Sequence, residues 1–596
     1  MKIRRSITSY HAAPRRAVAG VLAALLLTAC GGPDPTPTAP AGGAPAATAV
    51  LTAAPSTPVP PVANTAVAGA TTGAATTATS AATTVAPPGG MGGGGGTLRW
   101  SNEGVSELDT LDPPKTQSSN SVMAAALIYE GLVRLDAKLN VQPAGAESWD
   151  ISPDGKTYTF HIRKGLKWAD GSAVTAEDFR YSLERALSKE FANGSAGYYL
   201  SNIAGATEWT AGTATGLTGV TTDGADKLVI TIAKAGVYFL DQLTYIGGAV
   251  VPKKIIDQYG DKWSDHAQGT GPFMAQEWKH NQALMLVPNP NYWRGPLRLD
   301  GITMPFVQDP ATALQLYQTN QLDIMGAQQF PPGEAANMGG TPGFQQVPQF
   351  FDAYIGFNNK QPPLDNVHLR RALALAVDKK TLAEKVLAGA AVPTDHIVPP
   401  GMPGYFADLK PLGFDTGAAK AELAQAGQVG KISLSFTTGQ ADFDKVAATV
   451  QQMWKQNLGL DVTLNGEEQG KFNDDLTAMA NDPAQSTLGM YISVWGADYP
   501  DPQNFLTQQL HSDVGNNNGH WSDPDFDKLT DQADVERDQS RRMGLYNQAE
   551  QIAIDKVGWL PLYNGKGVIL IRPTVQGLTF TAQGLFADDW TQVTNK

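Results

Sequence analysis

Residues Val494–Leu506 read VWGADYPDPQNFL, and Asp498 stands three residues after Trp495 at the mouth of a Pro-punctuated turn. An acid there can pair with a positive charge, and the indole beside it can wall an apolar pocket. The same stretch also fits an ordinary strand end. Met490, Ile492 and Val494 alternate as a half-buried strand, and the acid heads the turn that follows. Local spacing leaves both readings open.

No other chemistry is spelled out by spacing. The eight histidines are scattered and form no HExxH pattern, and the single cysteine, Cys30, excludes internal disulfides and Cys-based zinc sites. There is no GxSxG elbow. Gly155-Lys156-Thr157 lacks the earlier glycine of a phosphate-binding loop and reads as a turn. Asp523, Asp525 and Asp527 in SDPDFDKL read as a helix start, and Asp588-Asp589 as solvated surface. A secreted hydrolase would need a convergent Ser/His/Asp set or a carboxylate pair, and neither can be named, so no enzyme is expected. No cofactor or metal is expected either. The formal net charge of -13, with no basic block after the first residues, argues against nucleic acid.

The elements that must position Asp498 lie in the last five hundred or so of 596 residues. The first hundred are an address and a tether. A basic front (Lys2, Arg4, Arg5, Arg15, Arg16) precedes an apolar run from Ala17 to Leu27, too short to span a bilayer. It ends in Leu27-Thr28-Ala29-Cys30-Gly31, which resembles a bacterial lipobox. The expectation is a signal peptide over 1–29 and a lipidated Cys30; Arg15-Arg16 leaves Sec and Tat export both open. Residues 30–96 are Ala, Thr, Pro and Gly with one charge, Asp34, and bury too little apolar surface to offset their ordering entropy. They read as a flexible leash.

From Thr97 the chain alternates strands and helices. TLRWSNEG reads as a strand leading to a loop, and Tyr158, Phe160 and Ile162 alternate as a half-buried strand. Thr175 is the expected cap of a helix with Glu177 and Asp178 in its first turn. Leu364–Gly389 reads as one helix capped by Asp365 and ended by Gly389. Strands at Lys431–Thr438 and DVTLN flank the helix DFDKVAATVQQMWKQNLG, the alternation of an α/β lobe.

Several blocks, in order, carry a family resemblance: IYEGLVRLD, SPDGKTYTFHIRKGLKWADG with TAEDFRYSL, GTGPF, NPNYW, GFNNKQPPLDNVHLRRALALAVDKK, PPGMPGY, WGADYPDPQNFL and LYNQAEQIAIDKVGWLPLY. From Thr97 onward the chain resembles the extracytoplasmic solute-binding proteins of peptide ABC importers. The resemblance implies an α/β, two-lobed periplasmic-binding-protein-like fold with an additional inserted domain. Lobe I would comprise 97–136, 268–352 and 563–596, the inserted domain 137–267, and lobe II 353–562. It implies a ligand cleft that closes by hinge motion. In it Asp498 would pair with a peptide's α-ammonium, and the main chain of Gly496 and Ala497 would continue a strand-like ladder. Trp495 would wall a side-chain pocket, with the loop from Val105 to Leu108 and Tyr199 as flanking residues. The stretch from Met490 to Val494 holds no Arg or Lys for a peptide's carboxylate, and Phe443 and Asp444 stand where a histidine would be sought. The family also includes receptors for nickel, haem and oligosaccharides, and the 12 tryptophans could line a sugar site. The expected partners are a peptide, or failing that another solute, and the permease and ATPase subunits of an importer. The expected location is the outer face of the cytoplasmic membrane or the periplasm, as a lipid-anchored monomer.

Overall fold

The computed structural model describes residues 94–596, less 117, 192–194, 328, 332, 439–441 and 515. Cys30, the signal segment and nearly all of the leash lie outside the described residues.

The largest sheet is built around two long strands. Phe344–Phe357 and Leu560–Ile571 pair antiparallel along most of their length. Each begins in one hydrophobic core and ends in another. Ala353, Ile355 and Phe357 pack in the same core as Leu560, Leu562 and Tyr563, whereas Ile569 and Ile571 pack with Leu98, Trp100, Ile302 and Met304. The register shifts between Pro348 and Asp352 and again between Ala353 and Tyr354. Pro348 has no N–H for a ladder, which suits an irregular stretch. The boundaries expected at 352/353 and 562/563 fall inside these two strands.

The sheet continues from Phe344–Phe357 to Met490–Gly496, then Ile432–Thr437, then Val462–Glu467. Ile432–Thr437 and Val462–Glu467 run parallel, joined by the helix Phe443–Leu458. This is the strand–helix–strand unit read from the alternation. The helix buries Val446, Ala447, Val450 and Trp454 at helical spacing against the sheet.

A second sheet orders Thr97–Arg99, Gly301–Val307, Ala283–Pro288 and Phe273–Lys279, with Asn102–Glu103 also beside Gly301–Val307. A third, of four antiparallel strands, lies wholly within 146–231: Ala146–Ile151, Thr157–Ile162, Lys227–Thr231 and Val220–Thr222. Thr157–Ile162 alternates half-buried and buried residues, as Tyr158, Phe160 and Ile162 require. Its core draws on residues from Leu132 to Val250 and on one from far along the chain, Tyr499. The helix Ala176–Ala186 starts at Thr175, where the Asp178 carboxylate accepts both the Thr175 N–H (2.8 Å) and its hydroxyl (2.9 Å).

Two local expectations are corrected. Leu364–Gly389 is not one helix. Val367–Leu375 is capped by Asn366, not Asp365, and Asp378 caps a new turn at Lys379–Thr381. The interruption occurs because the Asp378 side chain takes the Thr381 N–H at 3.0 Å and so restarts the helix. Asp588 and Asp589 are also more than solvated surface. Asp588 accepts the Ala137 N–H at 2.7 Å and Asp589 caps Trp590–Gln592.

Candidate ligand site around Asp498

The strand Met490–Gly496 goes from buried to exposed along its length, with Met490 and Ile492 fully covered and Gly496 open. It runs antiparallel to Phe344–Phe357, with Trp495 opposite Asp352 and Gly496 opposite Phe351. Just past its end, the Ala497 N–H donates to the Phe350 carbonyl at 2.8 Å. Antiparallel strands alternate the direction of their main-chain groups. Odd-numbered residues here therefore face Phe344–Phe357, and Val494 and Gly496 face the other edge. There the pairing with Ile432–Thr437 ends at Tyr491.

The two residues of the expected ladder, Gly496 and Ala497, therefore face opposite edges. The Ala497 N–H is taken by Phe350, and its carbonyl accepts the Gln583 amide at 3.3 Å. Gly496, and Val494 before it, present main chain at the open edge. The direction of the Val494 main chain depends on a partner's register, which a single strand sequence does not carry.

The turn then folds back on itself. Asp501 caps the short helix Pro502–Asn504 by accepting the Gln503 N–H at 2.9 Å, and Pro502 fills its first position. One turn later Asn504, fully buried, lies over Asp498. Its Nδ2 donates to Asp498 Oδ2 at 3.1 Å, and its Oδ1 accepts the Asp498 N–H at 3.2 Å. The Trp495 indole N–H donates to Asn504 Oδ1 (3.1 Å) and to its carbonyl (3.0 Å).

The other carboxylate oxygen is met from a distant segment. Tyr199, at the end of the short helix Ser195–Tyr199, donates its hydroxyl to Asp498 Oδ1 at 2.8 Å. Its ring lies against Tyr245, with centroids 4.2 Å apart, and edge-on to Tyr499. Burial pushes the Asp498 carboxyl up to about 6, while the hydrogen bonds from Asn504 and Tyr199 pull the other way.

Tyr499 continues this seam. Its ring stacks on Tyr238 and its hydroxyl donates to Gln503 Oε1. Behind it, Asp501 holds Arg542 in a bidentate pair at 2.6 and 2.7 Å. Burial, and then the charge of Asp501, push Asp241 up to about 8.

Thus Trp495, Asp498 and Tyr199 come together, and Gly496 lies on the open edge beside them. Val105 is half-buried just past Asn102–Glu103 and is not part of this hydrogen-bonded group. Among the described residues no group of three or more His, Cys, Asp or Glu could hold a metal ion. None of the described helices is long and apolar enough to cross a membrane.

The family model for bacterial extracellular solute-binding proteins, family 5 Middle, matches residues 140–517. The chain is 32% identical over 496 residues to the Escherichia coli (strain K12) protein named "Probable deoxycholate-binding periplasmic protein YgiS", covering 80% of this chain and 90% of that one. It is 31% identical over 495 residues to the oligopeptide-binding protein OppA of Bacillus subtilis (strain 168), covering 77% and 88%. Its fold is similar to MppA, a periplasmic murein tripeptide-binding protein, in its unliganded open form. The TM-score is 0.71 at 26% identity, covering 83% of this chain and 97% of that one. The architecture is the two-lobed α/β fold of periplasmic binding proteins, and the relatives are named as binding proteins rather than enzymes. This chain belongs to the bacterial extracellular solute-binding proteins, family 5.

Proposed function

We propose that this protein is a lipid-anchored receptor that captures oligopeptides in an interlobe cleft and delivers them to an ABC importer, touching the permease directly. The observation that carries this reading is the enclosed Asp498 carboxylate, already oriented by Asn504 and Tyr199. An ionised carboxylate offers about four acceptor positions, so two remain for an incoming ammonium. Burial leaves the acid close to balance between its two forms, and a cation beside it favours the charged one. The open main chain at Val494 and Gly496 supports strand-like pairing with a peptide backbone, and Trp495 supports a side-chain pocket. Every unmodified peptide carries the same ammonium and amides, so such a site reads peptides without regard to sequence.

In this reading lobe I is 97–136, 268–352 and 563–596, the inserted domain is 137–267 and lobe II is 353–562. The irregular stretch of the two long strands is the hinge. The named relatives OppA and MppA support a peptide ligand. Cys30 carries the lipid, and the leash lets the folded part range over the membrane.

One relative favours a second reading, a deoxycholate-like amphipathic acid. An ionised Asp498 repels a carboxylate, so affinity for such a ligand would rise as pH falls. Mass spectrometry of molecules that copurify with the tagless protein separates the readings. So does calorimetry with matched peptides. Free-amine peptides are expected to bind at least about a hundredfold more tightly than their Nα-acetylated forms. Equal affinities would sink the ammonium reading.

A further inference from the structure

We infer that Asn504 is a positioning residue of this site, whose carboxamide sets the Asp498 carboxylate and the Trp495 indole as one rigid unit. The inference rests on the reading of Asp498 as the ammonium partner and names what holds that partner in place.

The orientation of the carboxamide is fixed by its neighbours. The Asp498 N–H and the Trp495 indole N–H can only donate, so an oxygen must face them, at 3.2 and 3.1 Å. The NH₂ group is then directed to Asp498 Oδ2, at 3.1 Å. Both lone pairs of the amide oxygen are used. Few side chains supply two acceptor positions and a donor in one short plane. Aspartate at 504 would supply acceptors but no donor, and an aliphatic residue neither. Asn504 itself is 0% exposed and fixed by its own turn, where its N–H donates to the Asp501 carbonyl at 3.0 Å. It therefore has little freedom to follow the acid if the acid moves.

Two consequences follow. The charge and the aromatic wall cannot shift independently, because both hang on one amide. The donated N–H also favours the ionised form of Asp498, against the burial that favours the neutral one. The residue acts on ligand through Asp498 and Trp495, not by its own contact.

The test reads Asp498 without ligand. Protein labelled with ¹³C at Asp carboxyls is titrated by NMR, the Asp498 resonance being the one lost in Asp498→Asn. In Asn504→Ala the Asp498 midpoint is expected to rise by about one unit. In the isosteric Asn504→Asp two carboxyls share the space, and the upper of the pair's two midpoints is expected to rise further. The affinity for a free-amine peptide should fall about twofold at pH 7 and about tenfold at pH 5 in Asn504→Ala, and this pH-dependent part of the loss should be absent for the Nα-acetylated peptide. Should the alanine variant fail to fold, Asn504→Asp gives the same readout. A folded variant whose Asp498 titrates as in the parent overturns the role of Asn504. A parent protein that does not distinguish the two peptides overturns the ammonium reading instead.

Discussion

Two acids lie on either side of Trp495, Asp352 fully covered and Asp498 half-buried, and their carboxyls are raised to different extents. Asp352 stands directly across the ladder from Trp495, and Asp498 follows it by three residues. Burial is the largest influence on both. What differs is the supply of donors and a neighbouring charge, Glu550, which raises Asp352 further. Asp352 is fully covered and, among the described residues, receives only the Asn564 amide, while its Oδ2 meets no partner there. Burial, and then the charge of Glu550, push its carboxyl well above the usual range. Asp498 receives a donor on each oxygen and is raised only to about 6. Desolvation sets the direction of a buried acid's shift, and the hydrogen bonds it receives decide how far it goes. The surroundings of Asp352 favour its neutral form, whereas Asp498 keeps its ionised form above about pH 6.

The comparison breaks most sharply at Asp498→Asn. An enclosed ammonium without its counter-ion costs about 3–5 kcal/mol, or roughly 10²–10³ in affinity. Calorimetry with a free-amine peptide reads this, and unchanged affinity would end the distinction between the two acids. A smaller effect comes from pH. An ammonium ligand needs the ionised form, which is lost as pH falls through about 6. Affinity should be flat above pH 7 and drop about tenfold per unit below pH 6. Titrations that show no acidic limb would contradict this.

The smallest effect is expected at Asp352→Asn, where asparagine mimics the protonated acid. Peptide affinity should not change. The sign for stability follows from the raised pKa. The folded state keeps a proton that the unfolded chain has released, so the parent loses stability as pH rises above about 4. The variant lacks that loss. It should match the parent within about 1 kcal/mol at pH 4 and unfold at a higher temperature than the parent at pH 8. Scanning calorimetry at both pH values measures it.

Much of this was legible from residue order. The period-two strand at Tyr158–Ile162, the Thr175 helix start, the cap at Asp523 and the parallel unit around Phe443–Leu458 follow from patterns a dozen residues long. Asp498 and Trp495 could be singled out because the motif that carries the family resemblance is contiguous. Asn504 lies in the same quoted stretch, yet nothing in its spacing distinguishes it from a turn residue. Only the capped turn at Asp501 brings it back over Asp498. The helix at Leu364–Gly389 was misread because its apolar spacing runs unbroken through a local restart at Asp378.

The sequence by itself determined the types of element and their order, because propensity, capping and periodicity act within a few residues, and the family resemblance of one motif singled out the acid that could meet a positive charge. Only the tertiary structure decided the state of that acid. Tyr199 lies 299 positions away and Asp352, Trp495 and Asn564 come from three strands. A carboxyl's charge depends on how much water is removed and which donors replace it, and both are set by segments that meet only when the chain has folded.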